Sequence, residues 1–282
     1  MFRTRFAPSP TGPLHLGHAF SVLLAYDCAR ANGGEFFLRI ENLDQSRCRD
    51  YFELQIYNDL NWLGVTWDGP VLRQSERIKC YETTLLQLSS QGLTFGCICS
   101  RADIRAALAA PHEGTSLSGP DGLVYPGTCR GRPYDADKSN ETLRLDMQKA
   151  VAIVPQELSY YELNGEIESR QSLSTSGFCA QIGDLVLKRK GHGGVAYHVA
   201  SVIDDADQKI SHVIRGQDLQ DITKIHVFLQ QLLGLPTPVY RHHRLIRDEA
   251  GRRLAKRSDA QAISKFRAEG YTASDVRRMV GL

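Results

Sequence analysis

RTRFAPSPTGPLHLGHA, residues 3–19, decides the fold. Its first five residues can form a short strand. The run Pro8-Ser9-Pro10-Thr11-Gly12-Pro13 then breaks regular structure, because proline fixes φ and lacks the amide hydrogen that a ladder or helix needs. From His15 to Ala31 the pattern turns helical, with Leu16, Phe20, Leu23, Leu24 and Cys28 near one face. Gly33-Gly34 ends the helix, and residues 35–41 (EFFLRIE) suit a buried strand. Strand, loop, helix, strand is a βαβ unit, and a βαβ unit implies a parallel sheet.

Working outward, helices are expected at about 49–63 and 76–91. From Cys97 to about Pro133 glycine, proline, serine and cysteine become frequent and periodicity is poor, the texture of an insertion with its own small fold. Residues 142–147 and 157–167 suit strands of that insertion. Strand-like segments return at 183–188, at 196–203 (AYHVASVI) and at 209–215. A helix is expected over Leu219–Leu233, closed by Gly234 and Pro236. Residues 239–246 suit a last strand, followed by a basic loop at 247–258 and two short helices.

The 282 residues, 42% hydrophobic and 23% charged, are those of an ordinary globular protein with a sizeable core. A net charge of +2 is too small for a general nucleic-acid coat, so any RNA contact must come from local patches. No stretch of about 18 apolar residues is present, which argues against a transmembrane helix, and the amino terminus lacks the apolar region of a signal peptide. A cytoplasmic protein without a membrane partner is expected. An odd count of seven cysteines argues against a disulfide framework.

Three segments carry chemistry. His15-Leu16-Gly17-His18 opens the first helix, where unpaired N–H groups and the positive dipole end suit phosphate. Two histidines three apart share a helical face and can stabilise charge developing on an α-phosphate. Gly17 leaves room for a flat ligand such as adenine against the backbone. The plainer alternative is two partly exposed histidines on a first turn. In Gly251-Arg252-Arg253-Leu254-Ala255-Lys256-Arg257-Ser258, four cations in six residues need an anionic partner or full solvation. Such a loop can close over a triphosphate, with Lys256 facing the departing pyrophosphate; alone, it also suits a solvated basic turn. Cys97, Cys99 and Cys129 offer three thiols to a zinc ion with one ligand missing. His112 is a chemically ordinary fourth, and three reduced structural cysteines are the alternative.

HLGH after a proline-rich turn, with LAKRS far downstream, resembles the paired signatures of class I aminoacyl-tRNA synthetases. RFAPSPTGPLHLGHA at 5–19, LRIENLD at 38–44, YHVASVIDD at 197–205 and HVIRGQDL at 212–219 are similar to the glutamyl subgroup. The resemblance implies an α/β fold: a Rossmann-like catalytic domain split as 1–96 and 183–246, an inserted α+β zinc-containing subdomain at 97–182, and a basic ATP loop with a helical tail at 247–282. It implies ATP, with Mg²⁺, bound by His15, Gly17, His18 and Lys256. It also implies L-glutamate in a pocket containing Ala7, where Arg5, Tyr197 and Arg215 hold the side-chain carboxylate and Ser9 and Glu41 lie near the α-amino end. YPGTCR at 125–130 resembles that group's zinc knuckle, which favours Tyr125 over His112 as the partner of Cys97, Cys99 and Cys129 around a structural Zn²⁺. Departures from the pattern are Gln217, His198, the Lys190-Gly191-His192 turn, Arg253 and Ala255. None removes a phosphate or carboxylate contact. Asp204-Asp205 suits either a helper of the site or a turn cap.

Only 24 residues follow Ser258, too few for an anticodon-binding domain. The chain therefore resembles the short branch of the family that attaches glutamate to queuosine in the anticodon of tRNA(Asp), and the anticodon stem-loop is its expected RNA partner. The alternatives are a short enzyme charging the 3′ end of tRNA(Glu), and another class I-like nucleotidyltransferase. A monomer is expected.

Overall fold

The computed structural model describes residues 1–109, 118–135, 140–165, 167–191, 194–247 and 261–282. In chain order the elements are β1 (Arg3–Phe6), α1 (Leu16–Ala31), β2 (Glu35–Ile40), α2 (Asp50–Trp62), β3 (Leu72–Arg73), α3 (Ile78–Ser90), β4 (Thr94–Cys97), α4 (Arg101–Ala109), β5 (Ser118–Gly119) and β6 (Gly122–Leu123). There follow β7 (Thr142–Leu145), α5 (Met147–Ile153), β8 (Glu157–Asn164), β9 (Ile167–Ser174), α6 (Phe178–Gln181), β10 (Val186–Lys188), α7 (Tyr197–Asp207), β11 (His212–Gly216), α8 (Thr223–Leu233), β12 (Val239–His243), α9 (Ile263–Ala268) and α10 (Ala273–Val280).

The opening βαβ unit forms as its sequence pattern demands. β1 pairs parallel with β2 from Arg3↔Glu35 to Phe6↔Leu38, and β3 extends the pairing. Gly34 lets β2 start close beside β1: a Cβ there would stand 2.3 Å from the Phe2 carbonyl oxygen. α1 buries Phe20, Val22, Leu23 and Ala29 over these strands, in a core shared with Phe36, Leu38 and Ile40 of β2 and with Val276 and Val280 of α10. A second parallel set, β11-β12-β8, carries β9 antiparallel on its edge. The two sets meet where the Ser211 N–H donates to the Arg3 carbonyl (3.0 Å) and the Arg3 N–H to Ser211 Oγ (2.8 Å). β1 and β11 thus stand side by side, and the crevice beyond their carboxyl ends is where open α/β sheets bind ligands. β4, β7 and β10 form a separate antiparallel sheet.

One expectation is overturned. The segment 196–203, taken for a strand, belongs to helix α7. Every residue from His198 to Asp205 is buried, and the segment AYHVASVI is short and rich in β-branched residues, so it resembles a buried strand. Asp204 and Asp205 are not a turn cap; they are helix-interior carboxylates, each almost wholly buried. β8, within the 97–182 segment, pairs with β12 through Tyr240↔Glu162 and so lies in the main sheet.

Candidate active site

The crevice at β1 and β11 opens into a cavity of about 560 Å³. It is lined by Arg5, Ala7, Ser9, His15, Gly17, His18, Glu41, Tyr197 and Arg215, so the geometry brings these sequence-derived candidates into one cavity. Lys256, with Arg253 and Ala255, lies outside the described residues, as do His112 and His192. The flanks of that basic segment both border the site. Leu245 and Ile246 line the cavity, while the Ile263 N–H donates to the Leu14 carbonyl at 2.8 Å and Ala262 bridges to His15.

α1 starts at this cavity through a reciprocal cap made by the two histidines. His15 Nδ1 accepts from the Gly17 N–H (3.1 Å), and His18 Nδ1 accepts from the His15 N–H (3.2 Å). An Nδ1 that accepts leaves the ring proton on Nε2. The rings lie 3.9 Å apart. Gly17 is glycine for a reason absent from the sequence: a Cβ would meet the His15 ring at 3.0 Å, so the cap itself needs the space.

The cations at the strand ends are held by α7. Arg5 Nε donates to Asp205 Oδ1 at 2.9 Å and its Nη2 to Oδ2 at 3.4 Å. Arg39, fully buried in β2, donates from Nη1 to the same Oδ1 at 2.6 Å and from Nη2 to Glu41 Oε1 at 3.4 Å. Burial would raise the Asp205 carboxyl, but Arg39 and Arg5 outweigh it and hold the group at about 2. Glu41 goes the other way. Burial dominates over Arg39 and Arg5, and its carboxyl is pushed up to about 7. Asp204 receives Gln74 Nε2 (2.8 Å), Arg77 Nε (2.8 Å) and the Tyr81 hydroxyl (2.9 Å).

Arg215, at the end of β11, has its own frame. Nη2 donates to Thr223 Oγ1 at 2.7 Å, Nη1 faces His226 Nδ1 at 3.2 Å, and Nε faces His242 Nε2 at 3.4 Å. The guanidinium stands 5.2 Å from the Tyr240 ring centre. Burial, more than any neighbouring charge, raises the Tyr197 phenol, which therefore stays a neutral hydrogen-bonding group. Sequence reasoning missed Arg39, Thr223 and His226. The one available signal was Arg39 itself, a cation in an otherwise apolar strand, which requires a buried anion somewhere in the fold.

Away from the cavity, the sulfurs of Cys97, Cys99 and Cys129 lie within 4.8 Å of one another. The Tyr125 hydroxyl is 3.3 Å from Cys97 Sγ and 3.5 Å from Cys99 Sγ, and accepts from the Cys129 N–H at 2.9 Å. Tetrahedral zinc with bonds of about 2.0–2.3 Å sets its ligand atoms about 3.5–3.8 Å apart, so this donor set fits that ion. Burial raises the Cys99 thiol to about 11. For Cys129 burial also acts upward, but hydrogen bonds from Tyr125 and the Ile98 N–H outweigh it and bring the thiol to about 7.

The family model for class I tRNA synthetases (E and Q), catalytic domain, matches residues 1–282; the fold and crevice are those of a class I synthetase catalytic domain. Among curated relatives, a glutamyl-Q tRNA(Asp) synthetase of Rhodobacter capsulatus is 52% identical over 282 residues, covering 99% of each chain. One from Nocardia farcinica is 39% identical over 272 residues, 96% of this chain and 81% of that one. The chain belongs to this family, and is a ligase of the aminoacyl-tRNA synthetase type. A solved glutamate tRNA ligase from Elizabethkingia meningosepticum, in complex with its amino acid, superposes with a TM-score of 0.75 at 29% identity. It covers all of this chain, which spans 60% of that one. The methionyl-tRNA synthetase of Mycobacterium tuberculosis, at a TM-score of 0.59 and 12% identity, shares the fold. No helix among the described residues is long and apolar enough to cross a membrane.

Proposed function

We propose that this protein activates L-glutamate with ATP and transfers it to the queuosine base in the anticodon of tRNA(Asp), acting as a cytoplasmic monomer. The observation that carries the reading is that the capped amino end of α1 shares one cavity with Arg5, Glu41, Tyr197 and Arg215. ATP enters as its Mg²⁺ complex, and its phosphates meet the positive dipole end of α1 and the Nε2 protons of His15 and His18. Lys256 neutralises the pyrophosphate. Arg5, Tyr197 and Arg215 take the glutamate side-chain carboxylate, in the pocket that includes Ala7. Ser9 and Glu41 receive the ammonium, whose charge would draw Glu41 back into its ionised form.

The α-carboxylate oxygen attacks the α-phosphorus, the bond to the β-phosphate breaks, and pyrophosphate departs. Positioning and preorganised donors supply most of the rate. A hydroxyl of the queuosine ring then attacks the anhydride carbonyl and AMP leaves. The test is transfer of labelled glutamate to queuosine-containing tRNA(Asp), queuosine-lacking tRNA(Asp) and tRNA(Glu). Label on the first alone is expected; label on tRNA(Glu) would reassign the enzyme to 3′-end charging.

The proposed arrangement keeps the catalytic parts at 1–96 and 183–246, with 97–182 inserted and 247–282 as ATP loop and tail. The insertion joins the main sheet through β8. Within it, Cys97, Cys99, Cys129 and Tyr125 hold a structural zinc ion. One zinc per chain is expected by elemental analysis, falling by about tenfold in Cys99→Ser on loss of a thiolate ligand. An equal zinc content in that variant would rule the site out.

A further inference from the structure

Behind Arg215 the donors and acceptors line up in one direction. A guanidinium only donates, so at 3.2 Å from Arg215 Nη1 the His226 Nδ1 must accept. The His226 proton then sits on Nε2, 3.2 Å from His198 Nδ1, which accepts in turn. That leaves the His198 proton on Nε2, 3.1 Å from Asp121 Oδ1. The chain runs from a buried cation through two buried rings to a half-exposed carboxylate. Burial, then the charge of Arg215, pushes His226 well below the ordinary histidine value, so its ring stays neutral and goes on accepting.

This chain leaves the guanidinium suitably disposed for a ligand. Thr223, His226 and His242 engage three of its five N–H groups. One hydrogen on each terminal nitrogen remains for a carboxylate ligand. The outer end is anchored by backbone packing. Asp121 sits in the turn between β5 and β6, and at Gly119 a Cβ would stand 2.2 Å from the Gln181 carbonyl oxygen. Only glycine lets the hairpin dock so closely against α6.

We propose that His226 and His198 are positioning residues that aim Arg215 into the cavity, with Asp121 as their outer anchor. The inserted segment thereby sets the geometry of the amino-acid clamp. This rests on the reading of Arg215 as a carboxylate ligand.

ATP–pyrophosphate exchange without RNA, with glutamate and ATP varied in turn, tests it. His226→Leu should raise the KM for glutamate about tenfold, the size of one lost hydrogen bond to a charged group, and leave that for ATP within about twofold. His226→Asn, whose Oδ1 replaces Nδ1 as acceptor, should restore most of the loss. Asp121→Ala, at the surface, should raise the glutamate KM about threefold. Should His226→Leu fail to fold, His198→Leu against His198→Gln makes the same comparison, since glutamine supplies an acceptor and a donor. Parallel changes in both KM values, or no rescue by the conservative variants, would reduce these residues to packing and overturn the proposal. Arg215→Gln separates the two levels. A large effect there beside an unchanged His226→Leu refutes the chain alone; no effect at Arg215 removes the clamp and the chain with it.

Discussion

Arg215→Gln is expected to raise the KM for glutamate by about 10²- to 10³-fold in ATP–pyrophosphate exchange, with the KM for ATP close to wild type. The magnitude follows from the site. Arg215 is 4% exposed and framed by Thr223, His226 and His242, so a carboxylate reaching it gives up water and must be matched by a charge already in place. Losing one partner of a desolvated charge pair costs about 3–5 kcal/mol, and each 1.4 kcal/mol is about a factor of ten in affinity. Glutamine ends near the position of the Arg215 Nε, so the substitution removes the charge together with the terminal bonds to Thr223 and His226. The ATP KM is the internal control, because the amino end of α1 is made by His15 and His18 and does not use Arg215. Glutamate activation near the wild-type level in this variant would mean that the carboxylate pocket is wrongly assigned.

The parts of this molecule that could be foreseen are those encoded over short distances. The proline run, the capped helix and the EFFLRI strand announce β1-α1-β2 because each signal acts on its own backbone. The helix ended by Gly234 is legible for the same reason: that residue takes φ 66° at the C-cap of α8. α7 was not, because Val199, Val202 and Ile203 are β-branched and the polar His198, Ser201, Asp204 and Asp205 are buried with them, which is the texture of a covered strand. The strand ends bearing Arg5, Glu41 and Arg215 could be singled out by charge and position. What holds them could not. Asp205 contacts Arg39 across 166 positions and Arg5 across 200, and in a single sequence nothing couples residues so far apart except the requirement that buried charges be matched. Arg39 and the Asp204-Asp205 pair each broke an apolar run, and taken together those two irregularities are complementary in sign.

That complementarity makes Asp205 the position where stability and substrate binding are most tightly joined. Asp205→Asn is expected to lower stability by about 3–5 kcal/mol, because two buried guanidiniums lose their shared counter-charge and the new amide N–H group points at donors. The carboxylates left near Arg39 would be Glu41 at 3.4 Å and Asp204 at 4.0 Å; the Asn oxygen can still accept from Arg5 Nε and Arg39 Nη1, but the Arg5 Nη2 bond to Oδ2 is lost. For a chain of this size the fall in Tm should be on the order of 10 °C. The pH dependence has a defined sign. The native carboxyl, held at about 2 against an ordinary 3.8, binds its proton less readily folded than unfolded. Its contribution is therefore fully present above 3.8 and is lost as pH falls through about 2. The part of the gap that belongs to the Asp205 carboxyl should be constant above 3.8 and vanish only in strong acid, as read by denaturant unfolding at several pH values, with Glu41 titration adding its own step near neutrality. A second substitution divides the effect. Arg39→Met added to Asp205→Asn removes one of the two unmatched cations and should recover part of the lost stability. It should not recover glutamate affinity, since Arg5 still lacks the second bond and the counter-charge that fix its direction. Recovery of both together would show that Asp205 serves only to neutralise the core, and that Arg5 finds its place without it.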